Sequence, residues 1–405
     1  MIIDQTQLFG VAIVIILTVL VSVYYSKKVK SNDEYVVGGR KQNTLLVAGG
    51  LLGTIIGGAS TVGTAQLSFS VGYPAWWFTL GAGIAFFIMG LFYAKPLRKT
   101  NLTTIPEFLS EKVGKKIGLM SGIVAILGIF FSIVSSSLTA IHLITAIFNL
   151  GLYFSASIVI FLVLTIIFFG GIGSTSGVGI LKAIIILATV CFGIVLTVIS
   201  LGGYSVLKAQ LNDAQLFTVF GLGHDYAAYK VGLMIIGVIS TQTYVQSLFS
   251  AKNSRIAAKA CFLAAILITI IGFAPVTIGM YIKTVNPNLV PVNALPFYLL
   301  NYLPKLMGGI GIGGIILSAL GSIAGLTLGC SSMLSNDIIA EFYEFKTEQS
   351  LIRMTKFIIV LILLIAMVFV FYNFNSLILD WNFLSMGLRG IVFIPLTIAI
   401  FARTR

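Results

Sequence analysis

Charge is what this 405-residue chain lacks most: 9% of its residues are Asp, Glu, Lys or Arg, while 58% are hydrophobic and the mean hydropathy is +1.07. A soluble domain carries roughly a quarter charged residues, so the class left is a polytopic membrane protein. Acids are scarcest, at 12 against 25 basic residues. None lies deep in an apolar run, Asp380 being near an end, whereas a proton pump of the usual kind needs an intramembrane carboxylate. With two histidines and no nucleophile–base or His/carboxylate metal set, an enzyme is the least expected class. The three cysteines, Cys191, Cys261 and Cys330, fall in apolar segments and read as small packing residues, not as a disulfide framework.

What is present is span after span. Apolar stretches long enough to cross a bilayer run over 7–26, 45–73, 74–94, 117–148, 154–171, 177–202, 231–250, 258–282, 307–335, 357–372 and 378–402. The segments 27–44, 95–116, 251–257 and 336–356, with Lys259 and the C-terminal tail, hold 19 of the 25 basic residues; the alternate loops hold Lys208, Lys230, Lys283 and Lys305. That asymmetry predicts an exterior N-terminus and a cytoplasmic C-terminus in the cell membrane. It also assigns the net charge of +13 to topology and anionic lipid, with no nucleic-acid partner. Only Lys182 and Arg389 remain inside spans.

Two spans are interrupted. In 45–73, Gly57, Gly58, Ala59, Ser60, Thr61, Gly63, Thr64 and Gln66 stand where a plain membrane helix would carry large apolar residues. In 231–250, an apolar half gives way to Ser240, Thr241, Gln242, Thr243 and Gln246. In hydrocarbon a helix breaks only where it lines a protein-enclosed cavity, although close packing of small residues also explains glycine. The first interruption opens a five-helix unit, 45–202, after the peripheral residues 1–44. The second opens another unit, 231–405, after the external loop 203–230. Five is odd, so the two units lie in opposite orientations, which points to a secondary transporter with its site at the midplane. A third stretch, 307–335, has eight glycines and places Ser318 and Ser322 on one helical face. Hydroxyls there and freed carbonyls on a broken helix suit a monovalent cation, though serines also bond back to their own helix.

The stretches GGASTVGTAQLSFSVGY (57–73), LTTIPEFLSEKVGKK (102–116), GGIGSTSGVGILKA (170–183), QTYVQSLFSAKN (242–253), LSALGSIAGLTLGCSSMLSND (317–337) and GLRGIVFIPLTIAIF (387–401) together resemble the sodium:solute symporter family. The resemblance implies an all-α membrane fold of about eleven transmembrane helices, with a leucine-transporter-like five-plus-five inverted repeat whose first helices are discontinuous. It implies a principal sodium site formed by carbonyls of Gly57 and Ser60 with Ser318, Gly321 and Ser322. Four positions depart from the pattern. Gly321 stands where a hydroxyl is usual, Gly179 where an Asp is common, Lys182 one turn on, where Gln is frequent, and Ser247 where an Arg often follows the Gln pair.

The expectation is therefore a sodium-coupled symporter of a small polar solute, with sodium and the bilayer as partners and no cofactor. The solute is expected among Thr61, Thr64 and Gln66, Ser135, Ser136 and Ser137, and Thr241, Gln242 and Thr243. Lys182, one to two turns inside its span, is expected to snorkel to the cytoplasmic interface. The alternative is that its ammonium replaces the ion, giving proton-coupled transport or ion-independent exchange. A transport-inactive sensor with the same fold is the different-class alternative. Arg389 is expected to pair with helix-end carbonyls or Asp380, or with an anionic solute group.

Overall fold

A computed structural model describes residues 3–27, 31–200, 204–211, 213–345 and 347–402; the expected boundary at 202/203 lies outside them. In order, the helices are α1 (Gln5–Ser26), α2 (Asn32–Val37), α3 (Thr44–Ile55), α4 (Thr64–Val71), α5 (Trp77–Ile88), α6 (Ala94–Lys99) and α7 (Ile105–Lys112). There follow α8 (Lys115–Phe148), α9 (Leu152–Ile186), α10 (Phe192–Ser200), α11 (Tyr204–Leu211), α12 (His224–Ile239), α13 (Gln242–Phe249) and α14 (Ser254–Val285). The last are α15 (Ala294–Asn301), α16 (Lys305–Met333), the single turn α17 (Ala340–Phe342), α18 (Glu348–Tyr372), α19 (Ile378–Gly390) and α20 (Phe393–Phe401). By length and composition, seven of the described helices can cross a membrane, or ten if three bent pairs each count as one; Leu152–Phe168 is a further, shorter apolar helix.

Starts follow local chemistry. Asp4 and Gln7 form a reciprocal capping box on α1, as do Thr104 and Glu107 on α7, while the side chains of Asn43 and Asn253 accept from Leu46 N and Ile256 N. Both expected interruptions are real breaks. The axis bends by 62° between α3 and the segment Ala59–Val71, and by 47° between α12 and α13. Ile378–Gly390 and Phe393–Phe401 add a third bend of 41°.

One boundary differs from expectation. The break between the spans 154–171 and 177–202 falls at Gly171, where the two helical stretches of α9 meet and whose φ of 50° and ψ of −138° only glycine adopts without strain. The second of these spans begins at Gly171, so Lys182 lies about three turns within it. Small residues then bring backbones together. A Cβ on Gly10 would stand 2.7 Å from Ile310 N, fixing the α1–α16 contact, and one on Gly179 would collide with the Gly49 carbonyl, pressing α9 onto α3.

On the basic side of the molecule, polar side chains tie the segments together. The Gln42 amide oxygen accepts from Ser176 Oγ (3.3 Å) and Ser250 Oγ (3.0 Å), Gln246 Nε2 donates to Val36 O (2.7 Å), and Arg98 Nε donates to Ala251 O. That face is shut.

Candidate functional site

The site grows from the end of α3. At Ile56 (φ −75°, ψ 83°) the backbone leaves the helix, so the last carbonyls lose their partners one turn on. Side chains from two other helices take them up. Ser322 Oγ donates to Thr54 O at 2.6 Å, and Ser318 Oγ donates to Ile56 O at 2.8 Å. The Lys182 ammonium donates to Gly53 O, to Ser318 O at 3.1 Å and to Ser322 Oγ at 3.4 Å. Lys182 is fully buried, so it does not snorkel; the bend at Gly171 had hidden its depth. A helix C-terminus is the negative end of the peptide dipole array, and a cation there is stabilised.

Three of the departures from the family pattern, Gly179, Lys182 and Gly321, now fit one another. Gly179 lets α9 press against α3, which carries Lys182 to the Gly53 carbonyl. Gly321 leaves the ammonium its room, since a Cβ at 321 would stand 3.2 Å from Nζ.

The converging carbonyls are those of Gly53 and Ile56, one turn before Gly57 and Ser60. The Gly57 carbonyl instead accepts from Ser60 Oγ (3.1 Å) and Thr61 Oγ1 (2.8 Å), closing a local turn. The reason is that the chain breaks at Ile56, before the glycines begin. Gly57 and Gly58 serve close packing: a Cβ on Gly57 would meet Ser322 Oγ at 2.6 Å, and one on Gly58 would collide with Thr139.

Beside the cage lies a small cavity lined by Thr54, Ile55, Gly57, Ala59, Phe78, Ser132, Ser136, Tyr244, Leu326, Asn382, Met386 and Arg389. Its space is that of about one water molecule. Of the expected solute residues, Ser136 lines it. Ser135 is one bond removed, accepting from Asn382 Nδ2 and donating to Ile378 O (2.8 Å). Thr64 bonds back to Ala59 O (2.9 Å), and Gln66 is outside the lining. Gln242 holds α7, accepting from Ile105 N (2.8 Å) and donating to Thr103 O (3.1 Å). The hydroxyls of Ser137 and Thr243 are buried without a partner among the described residues.

Arg389 reaches this cavity from α19, fully buried. Nη1 donates to Thr241 Oγ1 (2.8 Å) at the second break, Nη2 to Ser132 Oγ (2.9 Å), and Nε to Ser385 O (3.2 Å). It does not pair with Asp380, which is exposed. Sequence reasoning passed over Phe78, Ser132, Tyr244 and Asn382, because aromatic and small polar residues in apolar helices look like ordinary packing.

Residues 35–404 match the profile described as SSF, the sodium:solute symporter family. The chain belongs to the sodium:solute symporter family. Its members are transporters, not enzymes, and membership supports sodium-coupled symport across a membrane. Among solved structures, the chain is similar to a Na⁺-coupled sialic acid symporter in a substrate-bound outward-open state, with a TM-score of 0.80 at 17% identity, covering 99% of this chain and 87% of that one. It is also similar to a nucleobase-cation-symport-1 family transporter in a closed conformation (TM-score 0.57, 14% identity, 89% and 79% covered). A manganese transporter of Eremococcus coleocola is a third (TM-score 0.52, 13% identity, 88% and 77% covered). At such identities the likeness concerns the fold, which is the leucine-transporter-like one expected from the sequence.

Proposed function

We propose that the chain is a secondary active transporter of a small polar solute, and that the cation at its principal ion position is its own Lys182 ammonium. The solute would enter between the two broken helices, at the cavity that Ser136, Asn382 and Arg389 line. What supports this reading is the position of Lys182 Nζ, on Gly53 O and on Ser318 O and Ser322 Oγ, the last two belonging to residues expected in the sodium site. A free ion and an ammonium at one point would repel and compete for the same lone pairs. Coupling then runs through protonation of the amine or through plain solute exchange.

Sodium-coupled symport is the second reading, favoured by family membership. It requires sodium to bind away from this cage, or Lys182 to leave it.

The test is solute accumulation in proteoliposomes under an imposed sodium gradient or an imposed pH gradient, one at a time, for the parent, Lys182→Gln and Lys182→Ala. The expected result is no response of the parent to sodium. Sodium-driven accumulation by the parent that persists in both variants would overturn the lysine reading and leave the symport reading standing.

A further inference from the structure

Arg389 is a buried guanidinium without a carboxylate. The ion pairs among the described residues, Arg40–Asp33, Lys115–Glu341 and Lys305–Asp4, all lie elsewhere. A buried charge is normally paired, because an uncompensated one is strongly destabilising. Lys182, in the neighbouring cage, also has only neutral partners. The core around the cavity therefore holds two basic side chains and, among the described residues, no acid.

The hydrogen bonds of Arg389 leave it unfinished. A guanidinium has five N–H donors. Three go to oxygen, on Thr241, Ser132 and Ser385, and a fourth goes to the Met386 thioether at 3.3 Å, a weak acceptor. One Nη1 hydrogen has no acceptor among the described residues. The neutral partners act as a clamp: Thr241 stands at the break between α12 and α13, Ser132 on α8, and Ser385 one turn back on α19 itself. Gly128 on α8 leaves the stem its path, since a Cβ there would stand 2.5 Å from Arg389 Cγ. Ser132 also bonds Asn382 Oδ1 (3.1 Å), and Asn382 lines the same cavity. A side chain held this way, with its Nη edge part-used and its residue in a cavity wall, is built to receive an anionic oxygen.

We propose that the transported solute carries a carboxylate, which Arg389 binds through its Nη edge. One carboxylate oxygen would take the open Nη1 hydrogen and the other the Nη2 hydrogen now on the weak Met386 acceptor, and a planar fork of this kind favours a two-oxygen anion over a single carbonyl. Deepening the transport reading, this inference rests on the cavity being the solute site. It is independent of which gradient drives uptake. The carboxylate supplies the missing counter-charge, so binding neutralises a cation already buried. Discrimination against a neutral analogue follows, because the amide leaves the guanidinium uncompensated.

The experiment is a binding screen on the purified, full-length chain by thermal unfolding. Acetate, lactate, pyruvate, glycine and glutamate are each compared with the corresponding amide. The expected result is that at least one acid raises the midpoint and its amide needs a concentration at least about tenfold higher, with the difference removed in Arg389→Gln. Arg389→Lys should bind that acid at least about tenfold more weakly than the parent does, since it keeps the charge and loses the fork. No acid binding in the panel, or equal binding of acid and amide by the parent, overturns the proposal even if neither variant folds. Acid binding that Arg389→Gln retains at parental strength also overturns it. Because the readout is binding without a gradient, failure here is distinct from failure of the coupling reading, which only driven uptake reports.

Discussion

Gly321 and Lys182 share one space: a Cβ at 321 would stand 3.2 Å from Lys182 Nζ, so the ammonium occupies ground that a side chain on α16 would otherwise take. Hydroxyl and ammonium are alternatives there. Gly321→Ser alone is expected to crowd the amine and lower the unfolding midpoint. The double variant Gly321→Ser with Lys182→Ala opens a cage of carbonyls and three hydroxyls, and should gain stabilisation by NaCl over KCl that the parent lacks. Midpoints in the two salts decide it; equal salt response in parent and double variant would sink the idea.

Ser322 caps a broken-helix carbonyl, donating its one hydroxyl hydrogen to Thr54 O at 2.6 Å. Ser322→Ala leaves a buried acceptor unpaired, at roughly 1–3 kcal/mol. The expected outcome is a lower unfolding midpoint with no change in sodium response. A shift only in sodium dependence would return this serine to a sodium-binding role.

Gly179→Ala drives a methyl into the Gly49 carbonyl, and both sides of that contact are backbone. Overpacking typically costs about 1–3 kcal/mol, and rigid neighbours put this position at the upper end or beyond. Little monodisperse protein should be recovered in detergent. Normal recovery would mean that α9 and α3 are further apart than this contact implies.

Gln242 was expected to touch solute, but its amide holds Ile105 N and Thr103 O. Gln242→Ala should therefore leave solute preference unchanged and raise labelling of a single cysteine at Ser247 from the basic side. A changed ranking of solutes with unchanged labelling would restore it to the solute site.

Topology is checked by single cysteines at exposed Lys99 and Lys252, expected to label from the cytoplasm, and at Lys208 and Asn286, expected from outside. Exterior labelling at either of the first two would remove the inverted-repeat argument.

Much of the fold was legible because membrane constraints are severe. A Gly- and hydroxyl-rich interruption has few structural outlets in hydrocarbon, and both interruptions became bends, of 62° and 47°. The site was less legible because one residue of register decides which carbonyls are freed. The glycines at 57 and 58 drew attention, yet the helix ends at Ile55 and the chain turns at Ile56, whose side chain gives no such sign. Lys182 was misread for a similar reason. The glycines and serines of 170–176 resemble a loop, and only coordinates show the helix passing through them after Gly171. Arg389 stood out as a charge in a span, but its partners come from residues up to 257 positions away, which no local pattern encodes.

A lysine at a helix break is a ligand that cannot diffuse away. Its effective concentration at the carbonyls of Gly53 and Ser318 is set by the length of its own side chain and by the packing of α9, not by the medium. A free ion would bridge α3 and α16 in proportion to its abundance outside; a tethered one bridges them equally in salt-poor and salt-rich surroundings. On the proposed reading, the balance between alternate arrangements is thereby freed from external salinity, and solute occupancy is left as the variable that sets it.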